Sequence, residues 1–105
     1  MSRATEVPRV RIVLPSQLRD LTGERPVVTV AAGVSVATEA SVAETFQSLR
    51  AEYPGVYERI FTETREVRPH INIFVDGADI RWSGGLETPV APGSEIVVLP
   101  AVSGG

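Results

Sequence analysis

Ser41-Val42-Ala43-Glu44-Thr45-Phe46-Gln47-Ser48-Leu49-Arg50-Ala51-Glu52-Tyr53 is the stretch on which the fold turns. Ser41 and Glu44 stand at the spacing of a capping box, in which each side chain covers an otherwise unpaired amide of the first helical turn. Val42, Phe46, Leu49 and Tyr53 follow at spacings of 4, 3 and 4, which places them in one apolar stripe of a helix. Pro54-Gly55 is expected to stop that helix. Val56, Ile60 and Phe61 suggest one further short turn, and Thr62 to His70 reads as a charged, mobile loop.

A lone amphipathic helix must bury its stripe against something, and the segments on either side read as strands. Upstream, Val10, Ile12 and Leu14 alternate with Arg9, Arg11 and Val13, the period of a half-buried strand. Pro15 and Thr22-Gly23 mark a loop, and Pro26 opens a second strand, Val27 to Ala32, rich in β-branched residues. These two strands are expected to pair as a hairpin, with Gly33 to Ala40 as a small-residue connector. Downstream, Ile71, Ile73 and Val75 alternate with Asn72, Phe74 and Asp76, and Asp76-Gly77 signals a tight turn. A short return strand is expected near Asp79-Ile80-Arg81-Trp82, and a closing strand over Ser94 to Pro100. The order β-β-α-β-β-β predicts a two-layer α+β domain with one main helix lying across one sheet face.

That arrangement leaves the other sheet face to water. Val13, Phe74, Val97 and Leu99 are out of phase with the core set and fall there, more apolar residues than a solvated face needs, and clustered apolar exposure marks a partner surface. A one-residue register slip would instead bury them.

Composition narrows the chemistry. One domain fits 105 residues, and 43% hydrophobic with 22% charged residues is ordinary for a globular protein. A net charge of −3 gives no electrostatic case for nucleic acid or an anionic membrane, and no apolar run approaches a membrane span. The first residues lack the apolar core of a signal peptide, so a cytoplasmic location is expected. There is no cysteine, which removes thiolate catalysis, disulfides and Cys-ligated zinc; any sulfur handled here must sit elsewhere than on a side-chain thiol. All ten basic residues are arginine, which removes a Walker lysine and a Schiff base. His70 is the only histidine and reads as a strand-entry residue; no metal site is expected. Ser41 is a cap and not a nucleophile, the charges of residues 58–68 form a solvated stretch, and Trp82 is read as packing at the domain edge. The organisation expected is a flexible lead-in over residues 1–7, a domain over 8–100 and a flexible tail over 101–105.

The tail ends the given sequence on Ala101-Val102-Ser103-Gly104-Gly105. Gly-Gly loses more freedom on ordering than any other pair, so it does not help folding, but it lets a backbone enter a slot too narrow for a Cβ. At about 3.3 Å per residue, Pro100 to Gly105 reaches roughly 20 Å, enough to place a carboxylate in another protein's active site. An ordinary frayed end is the other reading of the same residues.

Asp79-Ile80-Arg81, the Gly84-Gly85-Leu86 turn, Thr88-Pro89, the Pro92-Gly93 turn and Leu99-Pro100-Ala101-Val102 running into Gly104-Gly105 resemble the MoaD/ThiS family of ubiquitin-like sulfur carriers, nearest to its CysO-type branch. The motif resemblance covers residues 71–105 and the order of elements covers 8–105. Residues 27–40 are longer than the usual connector, and Ser103 stands where the family commonly has alanine. The resemblance implies a β-grasp (ubiquitin-like) fold, a mixed sheet of four to five strands with one main helix across it. It implies a protein that is a substrate of enzymes and not itself an enzyme, with no cofactor bound. An adenylating enzyme of the E1/MoeB/ThiF type, using ATP and Mg, would activate the Gly105 carboxylate, with Gly104 beside it, and a sulfur donor would convert it to a thiocarboxylate. The sulfur would pass to an acceptor enzyme, in the CysO-type pathway a PLP-dependent cysteine synthase, and a metalloprotease or other hydrolase would release the product. Phe74, Val97, Leu99, Pro100, Ala101, Val102 and Ser103 are the expected partner-binding residues. Molybdopterin synthesis, thiamin and sulfur-containing secondary metabolites remain as other destinations. A ubiquitin-like modifier forming isopeptide bonds through Gly105 and a β-grasp binding module with incidental glycines remain as other functions.

Overall fold

A computed structural model describes residues 9–31 and 40–101. The expected lead-in at 1–7, Ala32 of the expected second strand, residues 33–39 of the expected 33–40 connector and the tail residues Val102, Ser103, Gly104 and Gly105 lie outside the described residues.

Along the chain run β1 (Arg9–Val13), β2 (Val27–Ala31), β3 (Ala40–Ser41), α1 (Val42–Glu52), α2 (Pro54–Ile60), β4 (Ile71–Val75), β5 (Ala78–Asp79), β6 (Pro89–Val90) and β7 (Glu95–Pro100), with 3-10 turns at Ser16–Thr22, Ile80–Trp82 and Gly85–Glu87. Five strands form one sheet in the order β2-β1-β7-β4-β5, while β3 and β6 pair separately. β1 is antiparallel to β2 and parallel to β7; β4 is antiparallel to both β7 and β5. This mixed sheet with a helix across it is the β-grasp arrangement.

Period-2 alternation decides which side of the sheet is buried. Val28, Ile12, Ile96 and Val75 are register partners across four strands, flanked by Val30–Val10 and Val98–Ile73, and all are buried. The helices cover this face. Val42, Phe46 and Leu49 of the predicted stripe are fully buried, whereas Tyr53 at its end is half-buried. Both halves of the capping box form: Glu44 N–H donates to Ser41 Oγ (3.1 Å), and Ser41 N–H donates to Glu44 Oε1 (2.9 Å). Val42 N–H also donates to Thr88 O (2.9 Å), which fixes the start of α1 to the segment that enters β6.

Pro54-Gly55 ends α1 as expected but opens a second helix at once. Tyr53 is both the C-cap of α1 and the N-cap of α2, and Pro54 occupies the first turn of α2, where a missing N–H costs nothing. Val56, Tyr57 and Ile60 turn inward, so the single turn foreseen there is a full helix packed on the core. Phe61 continues the cluster, edge-on to Phe46 (5.1 Å between centroids) and stacked on Tyr57 (4.6 Å).

The expected mobile loop at 62–70 is instead folded back on itself. Phe61 and Val67 form a β-bridge, Thr62 N–H donates to Glu66 O (2.8 Å), and Arg68 N–H donates to Ile60 O (2.9 Å). Its charged side chains are solvated while its backbone is paired, and side-chain polarity alone does not distinguish that state from a loose loop.

Asp76-Gly77 makes the predicted tight turn, with φ of 48° and 89°, the two left-handed positions that such a hairpin requires. The return strand is shorter than expected. It ends at Asp79, whose carboxylate accepts the Arg81 N–H (2.9 Å) and caps a 3-10 turn over Ile80–Trp82.

Phe46→Ala removes a fully buried ring at the meeting point of α1, α2 and the sheet. It is expected to cost about 3–5 kcal/mol in urea unfolding, whereas Leu99→Ala on the open face changes stability by about 0.5 kcal/mol or less.

Candidate functional site

Among the described residues no helix covers the second sheet face, and its composition follows from the same register. Val27, Val13, Val97 and Phe74 are successive partners across β2, β1, β7 and β4, and Asp79 of β5 ends the row. All four apolar members are half-buried by their neighbours in the sheet. One row along β7, Leu99 lies opposite Asn72 and is 43% exposed. In the other direction the face turns polar, with Thr29, Arg11 and Glu95 in register and Arg11 Nη1 3.3 Å from Glu95 Oε2. The pair is exposed, so it contributes little to stability and marks the limit of the apolar patch.

Phe74, Val97 and Leu99, expected on this face, therefore all lie on it. Val27 also belongs to it and was not anticipated; its strand reads as uniformly apolar, and only the pairing with Val13 shows which side it takes. Pro100 falls beyond the end of β1, whose last partner on β7 is Val97, so its missing N–H leaves no bond unmade on that side. Ala101, expected in the tail, is still tied to the sheet, since its N–H donates to His70 O (2.7 Å). The chain thus leaves the described residues from the end of a strand held by β4, next to Leu99.

Trp82 differs from its expected role. It is 84% exposed instead of packed at the domain edge. Its neighbour Ile80 takes the buried position in the short 3-10 turn. Asp79 and Arg81 form the one close ion pair at this edge. Arg81 Nη2 donates to Asp79 Oδ2 (2.8 Å), and Arg81 Nε reaches Oδ1 (3.2 Å). The side-chain hydrogen bonds from Arg81, then its backbone N–H, hold the Asp79 carboxyl below the ordinary carboxylate value, and the same contact raises the Arg81 guanidinium.

No three His, Asp or Glu side chains among the described residues cluster as metal ligands. No helix among them is long and apolar enough to cross a membrane. The features that converge are an apolar sheet face and a strand end that delivers the chain beside it. Clustered apolar exposure of this kind is the physical character of a contact surface.

Residues 12–105 match the ThiS family. The chain is similar to the sulfur carrier protein CysO of Mycobacterium tuberculosis, 34% identical over 98 residues that span 91% of this chain and 98% of that one. It is also similar to small archaeal modifier protein 3 of Haloferax volcanii, 36% identical over 67 residues, 64% of this chain and 72% of that one. Among solved structures, a chain of the crystal structure of the Amycolatopsis orientalis BexX/CysO complex superposes with a TM-score of 0.75 at 33% identity, covering 91% of this chain and 99% of that one.

In an NMR titration, the Asp79 carboxyl is expected to titrate below the ordinary 3.8, and Arg81→Ala should raise it by removing the side-chain hydrogen bonds while the backbone N–H of residue 81 is kept. Because the folded-state value is the lower one, the stabilisation is present above 3.8 and fades as pH falls through the folded-state midpoint. An Asp79 midpoint unmoved by Arg81→Ala would mean that the pair does not persist in solution.

Proposed function

The chain belongs to the ThiS family of ubiquitin-like sulfur carriers, and from that premise we propose that it carries sulfur on the carboxylate of Gly105. A carboxylate is a poor electrophile. Its oxygen attacks the α-phosphate of ATP on an E1/MoeB/ThiF-like partner, with Mg, and pyrophosphate leaves. A sulfur donor then attacks the acyl carbon, AMP departs with one of the original oxygens, and a thiocarboxylate remains. The ionised sulfur is the nucleophile that reaches an electrophile in an acceptor enzyme. The carrier contributes position, and its partners contribute the chemistry.

The observation that carries this reading is the agreement over nearly the whole chain with a sulfur carrier protein, 34% identity across 91% of the residues. The open face supports it in physical terms. A partner that accepts the tail needs a grip beside it, and Phe74, Val97 and Leu99 offer an apolar anchor within one strand's reach of Ala101. Pro100, Ala101, Val102, Ser103 and Gly104 would thread the partner's channel. We place the acceptor in cysteine biosynthesis, as a PLP-dependent synthase with a hydrolase to release the product, because of the likeness to CysO; a molybdopterin synthase partner is the other destination. A second function, attachment to other proteins through an isopeptide bond, is favoured by the likeness to a small archaeal modifier protein.

Incubation with ATP, the adenylating enzyme and a sulfide donor should raise the intact mass by the replacement of one oxygen with sulfur, located at Gly105 by fragmentation. Deleting Gly105 should abolish the change and leave the melting temperature unaltered. No mass change with an adenylating enzyme proven active would sink the proposal, and recovery of the chain joined to lysines of other proteins would favour the modifier reading. Phe74→Ala and Leu99→Ala should each weaken binding of the adenylating enzyme by about 2 kcal/mol in calorimetry.

A further inference from the structure

Away from the open face, α1, α2 and the folded segment 61–68 border two adjoining depressions that are open to solvent. One, of about 430 Å³, is lined by Arg50, Arg65 and Arg68. The other, of about 240 Å³, is lined by Ala43, Gln47 and Leu86. Tyr57, Phe61 and Arg65 line both, so the two form one groove with a cationic end and an apolar end. None of the open-face residues lines either depression.

The groove is built in advance. Its floor is the stacked Tyr57–Phe61 pair, with Tyr57 Oη accepting from Gln47 Nε2 (3.1 Å). The Arg50 guanidinium carbon lies 5.5 Å from the Tyr57 ring centroid. Arg68 Nε donates to Glu58 O (3.0 Å), which orients the guanidinium and leaves its terminal N–H groups available. Arg65 is held at a φ of 66° by the turn that Thr62 O closes on its N–H (2.9 Å).

Charge decides what such a groove accepts. Glu58 and Glu63 also line the cationic end, but among the described residues none of the three arginines forms an ion pair with a carboxylate. Glu44, at the apolar end, is committed to the Ser41 N–H of the capping box. Three guanidiniums without carboxylate partners, beside an apolar slot, match a carboxylate, sulfonate or phosphate attached to an apolar body. The larger depression, about 430 Å³, lies in the range of small-molecule sites, about 300–1,000 Å³.

We propose that this groove binds a small organic oxyanion with an apolar body, at a site separate from the sheet face. The head group sits among Arg50, Arg65 and Arg68, and the body lies along Tyr57, Phe61 and Leu86. The full chain is titrated with anilinonaphthalene sulfonate, inorganic sulfate and naphthylmethylamine, with amide shifts and calorimetry as readouts. The sulfonate should bind one to one, with shifts confined to α1, α2 and residues 61–68. Inorganic sulfate should bind at least tenfold more weakly, and the amine should not bind, on the order of what one lost charge-assisted contact implies. Arg50→Gln and Arg65→Asn, the latter chosen because asparagine tolerates positive φ, should each weaken the sulfonate roughly tenfold while amide spectra confirm the fold. Unchanged affinity in both folded variants would overturn the proposal. So would shifts centred on Phe74, Leu99 or Trp82, equal binding of the amine, or sulfate alone binding as tightly.

Discussion

The pairing of β1 with β7 is the constraint on which the rest depends. The two strands run parallel, so no short turn can join them, and the intervening chain must cross over the sheet. That crossover contains α1 and α2; α1 buries its stripe against the sheet, and α2 packs against α1 and the 3-10 turn at Ser16–Thr22. The same pairing puts β7 in the middle of the sheet, with β1 on one side and β4 on the other. Ile96 and Val97 are paired on both flanks, and the strand's end at Pro100 is held by β4.

One strand serves two surfaces by alternation. Ile96 and Val98 close the core, while Val97 and Leu99, one residue out of phase, face away from the helices. The core and the open apolar face therefore lie on opposite sides of the same six residues. A change at Phe74 or Leu99 leaves the packing beneath them in place, because both lie on the face away from the core.

The elements with strong local physics were legible in the sequence. The Ser41–Glu44 capping box, the Val42, Phe46, Leu49 stripe, the alternation of β1, β4 and β7 and the Asp76-Gly77 turn each carry a mechanism that neighbouring residues complete. What failed to show depends on distant partners. Pro54-Gly55 has the sequence of a terminator and equally that of a helix start, and the choice rests on the core that Val56 and Ile60 meet. The charged residues 62–68 hide a backbone pairing between Phe61 and Val67. Trp82 is exposed because Ile80 takes the inward position of a turn three residues long. The membership of Phe74, Val97 and Leu99 in one face was readable from their phase, but Val27 joined it through pairing alone. The arginine groove has no linear signature, since its cationic residues come from α1 and the segment after α2.

A central strand drawn from the far end of the described chain also shapes how the molecule folds. Before β7 docks, β1–β2 and β4–β5 can form as local hairpins, but each exposes an unpaired inner edge. Joining them requires contact between residues as distant as Arg11 and Glu95, with a corresponding loop-closure cost and a slow approach to the native state. During that interval the inner edges of β1 and β4 are open to strands of other chains, and the hazard of misassembly ends when β7 fills the gap between them.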